Sequence, residues 1–239
     1  FAGSFQGNQK TVRNLKITDE TLNEAGFFGN AQGAPIAVIA DLTLENVDIR
    51  ANHTVGALGG YIVTKTMNCN VIGDITITGT FMVGGLAGDH YSTITNSHVR
   101  GNEGSSVNGL YVTADSEGDN IGGLVGLRGE DGNLISDCSV ANLKITGTRK
   151  IGGLIGAAFL SSSIENCNVN NVVIETNASI GYALLTKSSM GLGGLVGVFN
   201  SYSDTGHISA STVSDIEFII PENIINNVTA GYMYGLSRV

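Results

Sequence analysis

Apolar residues recur along this chain at spacings of two, three and two, a rhythm that belongs neither to a helix nor to a straight strand. Ile164-x-Asn166-Cys167-x-Val169-x-x-Val172-x-Ile174 is the clearest copy. Ile135-x-Asp137-Cys138-x-Val140-x-x-Leu143-x-Ile145 and Ile39-x-Asp41-Leu42-x-Leu44-x-x-Val47-x-Ile49 repeat it, and Ile208-x-Ala210-Ser211-x-Val213-x-x-Ile216-x-Phe218 follows later. Side chains two apart share one face of a strand, and a spacing of three breaks that alternation. Both pairs reach one interior only if the chain bends between them, so Asn170-Asn171 is predicted to turn a corner.

A second motif lies between these copies. It reads Val83-Gly84-Gly85-Leu86-Ala87-Gly88, Ile121-Gly122-Gly123-Leu124-Val125-Gly126, Ile151-Gly152-Gly153-Leu154-Ile155-Gly156 and Leu192-Gly193-Gly194-Leu195-Val196-Gly197. Degenerate copies close at Gly29, Gly60 and Gly235, so closing glycines fall 31, 28, 38, 30, 41 and 38 residues apart. Such periods suit stacked coils. Here too apolar positions three apart flank glycines, which predicts a corner or bulge.

The fold predicted is all-β: a parallel β-solenoid, or β-helix, of about seven glycine-rich coils with three short strands each. Its hand is right, as parallel crossovers favour. At about 4.8 Å per rung the stack extends roughly 30 Å. A β-sandwich would need hairpin turns, and the one Asn-Gly pair, Asn108-Gly109, is placed in an insertion. One module spanning 1–239 is expected, with a lead-in over 1–22 before the repeated coils and a longer polypeptide around it. The long intervals place insertions at 100–108 and 176–190, with extra length after Val112 and after Phe218. Segments 118–120, 176–190 and 220–228 would then share one lateral surface, with Ser179, Tyr182 and Lys187 as candidate partner-binding residues.

Composition narrows the function classes. Glycine is 34 of 239 residues with only 2 prolines, but 42% of the chain is hydrophobic, enough for a continuous core rather than glycine-rich disorder. A net charge of −9 with 12 Lys and Arg leaves no basic stripe for nucleic acid. No apolar run approaches the roughly 18 residues of a spanning helix, so membrane insertion is not expected.

With both motifs in view, the chain resembles the GLUG-motif repeat regions of bacterial surface and adhesin-like proteins, which carry a recurring Gly-Leu-x-Gly element. The opening Phe1-x-Gly3-x-Phe5-x-Gly7-Asn8, followed by Val12-x-Asn14-Leu15-x-Ile17, is similar to the lead-in of such repeats, with Gln6 where an Asp is common. The resemblance covers essentially the whole chain. It implies an extracellular, cell-surface or secreted setting and a role in adhesion, and it carries no catalytic residues.

Candidate chemistry is sparse. Cys138 and Cys167 share a repeat position with Leu42, Ser97 and Ser211, and Cys69 joins that column with a one-residue offset. Without Cys-x-x-Cys spacing a metal site is not indicated, and buried free thiols are favoured over a Cys138–Cys167 disulfide. His53, His90, His98 and His207 are read as solvated turn residues. Asp115, Glu117 and Asp119 alternate as calcium ligands do, but the closing Glu of a calcium loop is Gly126 here, so no cofactor is expected. Asp41, Asn68, Asn96, Asp137 and Asn166 align in a polar column, read as turn caps.

The function expected is non-catalytic: surface adhesion or a structural spacer, meeting a glycan or protein ligand and neighbouring domains of its own polypeptide. The alternatives are a carbohydrate-binding module, which should gather exposed aromatics on one face, and a β-helix polysaccharide-degrading enzyme, which should converge carboxylates in a groove.

Overall fold

The computed structural model describes residues 1–34, 36–110, 120–129, 134–159, 162–177, 191–200 and 206–221. Every regular element among them is a strand, every pairing is parallel, and the strands form one 12-stranded and two six-stranded sheets. The chain visits the sheets in a fixed order. Its first circuit runs through Phe5–Thr18 in the large sheet, Glu24–Ala25 in the second and Phe28–Ala31 in the third. Val38–Arg50, Thr54–Gly56 and Gly59–Ile62 make the next circuit, and Lys65–Gly79, Met82–Gly84 and Ala87–His90 the one after. Three more complete circuits follow, and His207–Ser209 with Thr212–Ile219 opens a seventh. The last glycine motif, 230–235, lies outside the described residues. The lead-in is itself a rung: Leu15 pairs with Val47 and Ile17 with Ile49.

The spacing of three is a bend, as the pattern requires. Val169, Val172 and Ile174 are all fully buried in one strand, Asn168–Thr176, and Asn171 between them has a φ of 52°. Asn14, Asn46, Asn142, Asn171 and Asp215 take this left-handed conformation at the same place on their circuits. A second set lies upstream at Asp41, Asn68, Asn96, Asp137, Asn166 and Ala210. A bulky residue is strained there, whereas Asn and Asp tolerate it by bonding locally. In the third circuit the bend is made by Gly73, φ 88°, where a Cβ would collide with the Asn46 side chain.

Leu58, Leu86, Leu124, Leu154 and Leu195 form one buried column whose backbones bond rung to rung. The flanking glycines are there for space. A Cβ on Gly126 would lie 2.6 Å from Val83 N, and one on Gly197 2.6 Å from Gly156 O, contacts with backbone that cannot move aside. These glycine positions are therefore too tight for any side chain.

Several sequence expectations need correction. Val107, not Val112, holds the apolar place in the fourth circuit: it is fully buried and pairs with Ile77 and Ile145. The insertion placed at 100–108 shrinks to Asn102–Ser105, because Arg100 and Gly101 pair with Ile72 and Gly73 while Ser106 pairs with Thr76. Asn108-Gly109 accordingly lies within a parallel strand. Thr176 belongs to the core, paired with Gly147 and 2% exposed, and Asn120 is buried in the strand Asn120–Gly122 rather than on a lateral surface. Cys69 pairs directly with Leu42, and the extra residue is downstream at Gly73.

Candidate functional site

The outer face of the large sheet carries chemistry in columns. Outward positions on successive circuits sit one rung apart, so a donor on one strand meets an acceptor on the next. Asn68 donates through Nδ2 to Asp41 Oδ1 at 2.7 Å, Asn96 to Asn68 Oδ1 at 2.8 Å, and Asn166 to Asp137 Oδ1. The neighbouring outward column reads Thr11, Thr43, Asn70, His98, Ser139, Asn168 and Thr212, polar at every rung. Within it Asn168 Nδ2 donates to Thr212 Oγ1 at 2.6 Å. Towards the other edge the columns become charged: Arg13 pairs with Glu45 at 2.7 Å, Lys16 with Asp48 at 3.0 Å and Lys144 with Glu175 at 2.7 Å. Lys16, by its hydrogen bond, holds Asp48 below the usual carboxylate range.

Over the first four circuits these columns enclose an open groove of about 260 Å³ lined by Gln9, Asp41, Thr43, Asn68, Asn70 and Asn96. Gln9 enters it because Gly7-Asn8-Gln9 bulges out of register opposite Asp41, with Asn8 and Gln9 both at positive φ. The Asp41 carboxylate accepts the amides of Gln6 and Asn68. The Asn70 carboxamide is different, since its Oδ1 is shielded from bulk water and meets no donor. Among the described residues no aromatic side chain lines the groove. The first circuit instead gathers Phe1, Phe5, Phe27 and Phe28 against one another at its end of the stack.

Two serine–histidine contacts lie on the same sheet. His98 Nδ1 is 2.8 Å from Ser139 Oγ and its Nε2 3.2 Å from Asn96 Oδ1. His207 Nδ1 is 3.2 Å from Ser163 Oγ and its Nε2 2.9 Å from Glu165 Oε1. Burial lowers the pKa of His98, which favours the neutral ring a general base needs. A hydroxyl nucleophile also needs donors for the developing oxyanion. Here the Ser139 N–H is spent on Ser97 O and the next ladder N–H, of Asn168, on Cys138 O. Both arrangements repeat the ordinary rung-to-rung pairing of the face.

His90 departs from the expected solvated turn: it is fully buried. The Ser92 N–H donates to His90 Nδ1 at 3.1 Å, so Nε2 carries the proton towards Thr66 Oγ1 at 3.0 Å. Burial, and then the nearby Arg128 charge, depress its pKa well below the ordinary value. The fully buried Arg128 donates to His90 O at 3.2 Å and to Ser92 O, tying two circuits at the corner leading back to the large sheet. Beside them Asp89, 3% exposed, has its pKa raised by burial to about 7, against the lowering effect of a Tyr91 hydrogen bond and the Arg128 charge. Of the other histidines, His53 stacks on Phe81 at 4.4 Å and His98 and His207 lie on strands.

Cys69, Cys138 and Cys167 are free and each 1% exposed. Each thiol turns to a carbonyl of its own strand region, Cys69 to Met67 O at 3.3 Å, Cys138 to Ser136 O at 3.1 Å and Cys167 to Glu165 O at 3.3 Å. Burial pushes the Cys69 thiol up to about 11, and the hydrogen bond with Cys167, then burial, raises Cys138. In the fourth circuit Ser97 fills the same place, its hydroxyl accepting from Cys69 N and donating to Thr95 O. Among the described residues no group of three His, Cys, Asp or Glu could hold a metal ion. The calcium candidates Asp115, Glu117 and Asp119 and the partner candidates Ser179, Tyr182 and Lys187 lie outside the described residues.

No family model matches the chain. Over 88 residues, 37% of its length, it is 33% identical to Halomucin of Haloquadratum walsbyi, of which it spans 1%. Its backbone is similar to that of a candidate immunoglobulin A1 protease from Bacteroides ovatus, with a TM-score of 0.62 at 17% identity over 96% of this chain. The chain spans 65% of that structure, and the likeness is one of fold.

Proposed function

We propose that this chain is a segment of right-handed parallel β-solenoid, of the GLUG-repeat kind, that serves outside the cell as a non-catalytic adhesion or spacer module. The observation that carries this reading is the commitment of its chemistry to the stack. Asn, Asp, Ser and His side chains on the large sheet bond from rung to rung, and the N–H groups beside the Ser139–His98 contact are spent within the ladder. The repeated passage through the same three sheets, the leucine column and the glycine corners support the solenoid. The partial likeness to Halomucin supports a surface or secreted setting.

Two measurements test the proposal. Incubation with a panel of polysaccharides and with immunoglobulin A1 is expected to leave every substrate uncut, and turnover abolished by Ser139→Ala or Ser163→Ala would overturn the non-catalytic reading. Nuclear Overhauser contacts are expected between amides one rung apart, such as those of Leu124 and Leu154, and an antiparallel contact pattern would overturn the solenoid.

A further inference from the structure

We infer that the groove between Gln9 and Asn96 is a binding site for a neutral oligosaccharide. The inference rests on the reading of the chain as a displayed, non-catalytic module and names the ligand class that module would meet.

The argument starts from how the polar columns close on themselves. Donors and acceptors that face one another across a rung bond repeatedly, as Asn68 does with Asp41 and Asn168 with Thr212. Thr43 and Asn70 are paired across adjacent strands of the same column, yet Asn70 Oδ1 has no donor. A shielded acceptor without a partner is rare, and an ordered water or a ligand hydroxyl is what normally supplies one. Asn70 itself lines the groove beside Gln9, which the bulge at Gly7-Asn8-Gln9 brings there, so a small turn of its carboxamide would present Oδ1 to a ligand.

The lining selects the ligand. Five of its six side chains are amides or a hydroxyl, groups that both donate and accept, matching the vicinal hydroxyls of a sugar. Among the described lining residues the only charge is Asp41, whose carboxylate is held by two amides and would repel an anionic sugar or a phosphate backbone. A single carboxylate so committed is a poor start for calcium, which takes six to eight oxygens. A peptide would need an apolar anchor or a free strand edge, and the groove lies on a sheet face whose strands are paired. Successive rungs repeat at about 4.8 Å, close to the length of one pyranose, so a chain lying along the stack meets the same amide pattern at each sugar. With no aromatic platform, binding rests on hydrogen bonds and is weak for a single groove.

The test is a nuclear magnetic resonance titration of the chain with cellohexaose, mannohexaose and maltohexaose, with hyaluronan hexasaccharide as the anionic comparison. At least one neutral hexaose is expected to shift the side-chain amide signals of Gln9, Asn68 and Asn70, and hyaluronan is not. The Gln9→Ala/Asn70→Ala variant is expected to lose about tenfold in affinity, about 1.4 kcal/mol, while Asn168→Ala, in the same column but outside the groove, binds as the parent does. Circular dichroism confirms that each variant is folded. The inference is overturned if no neutral hexaose moves these signals, if hyaluronan binds equally, or if the folded double variant binds undiminished. Turnover of a hexaose is read separately from its product spectrum and would count against the non-catalytic proposal, not against the groove.

Discussion

Replacing Leu154 by alanine probes the stack at its most constrained point. The side chain is fully buried, and its backbone is clamped on both sides, accepting from Leu124 N at 2.9 Å and donating to Leu195 O at 2.8 Å. Removing three buried carbons at about 0.8 kcal/mol each loses about 2.4 kcal/mol of transfer free energy. The cavity term is added to that, and it depends on how far the surroundings can collapse. Here they collapse little: the preceding residue is Gly153, whose missing Cβ already leaves Val169 Cγ1 only 2.7 Å from that position, and the clamped backbone cannot close in. The expected cost is about 4 kcal/mol, in the upper half of the range for leucine-to-alanine changes. Leu195, 3% exposed and the last described rung of the column, should cost about 2.5 kcal/mol when changed the same way. Urea unfolding followed by far-ultraviolet circular dichroism reads both, with an unchanged m-value confirming that stability alone has moved. A loss below about 1 kcal/mol at Leu154, or a larger loss at Leu195 than at Leu154, would refute the account of a rigid glycine corner.

Three further outcomes are expected. Asn166 sits at a φ of 52°, so Asn166→Ala should be less stable than Asn166→Gly by about 1 kcal/mol, and the reverse order in thermal melts would contradict the left-handed bend. Asp89 has a folded pKa of about 7 against 3.8 ordinarily, so the stability it contributes is full below pH 3.8 and is lost as pH rises through about 7. Asp89→Asn should therefore melt progressively closer to, and then above, the parent across that window, and parallel curves would show that burial does not govern this carboxyl. The three cysteines should react with a thiol reagent only as the protein unfolds, because each is 1% exposed, whereas labelling at the native-state rate of a surface thiol would place them elsewhere.

The core was legible because it is periodic. Leucines at 86, 124, 154 and 195, and apolar pairs separated by three, can be read without knowing the fold, since only a bent strand buries both members of such a pair. The Asn and Asp column was visible for a related reason: few other residues tolerate the left-handed bend. Irregular length was harder. Val107 and Val112 are equivalent by hydropathy, and the choice between them depends on a Gly101–Ser106 connection whose path no local pattern reveals. Buried polar residues escaped for the opposite reason. His90 and Arg128 occur once each rather than on every circuit, so periodicity has nothing to say about them. The groove was invisible because it arises from a defect, an unanswered carboxamide at Asn70 beside a bulge at Gln9, and its Asp41–Asn68–Asn96 wall was recognised only as turn caps.

The direction of the backbone bonds has a mechanical consequence. In every sheet the hydrogen bonds run along the axis of the stack, from one circuit to the next, and the first and last circuits lie at opposite ends of it. Tension applied between those ends loads the bonds along their own length, a few at a time, as in opening a zipper rather than shearing a lap joint. Such a body yields by releasing one circuit after another, each paying out some thirty residues of chain, and recloses by the same steps. A tether made this way limits the peak load on whatever it holds, lengthening under a pull that a sheared sheet would resist until it failed at once.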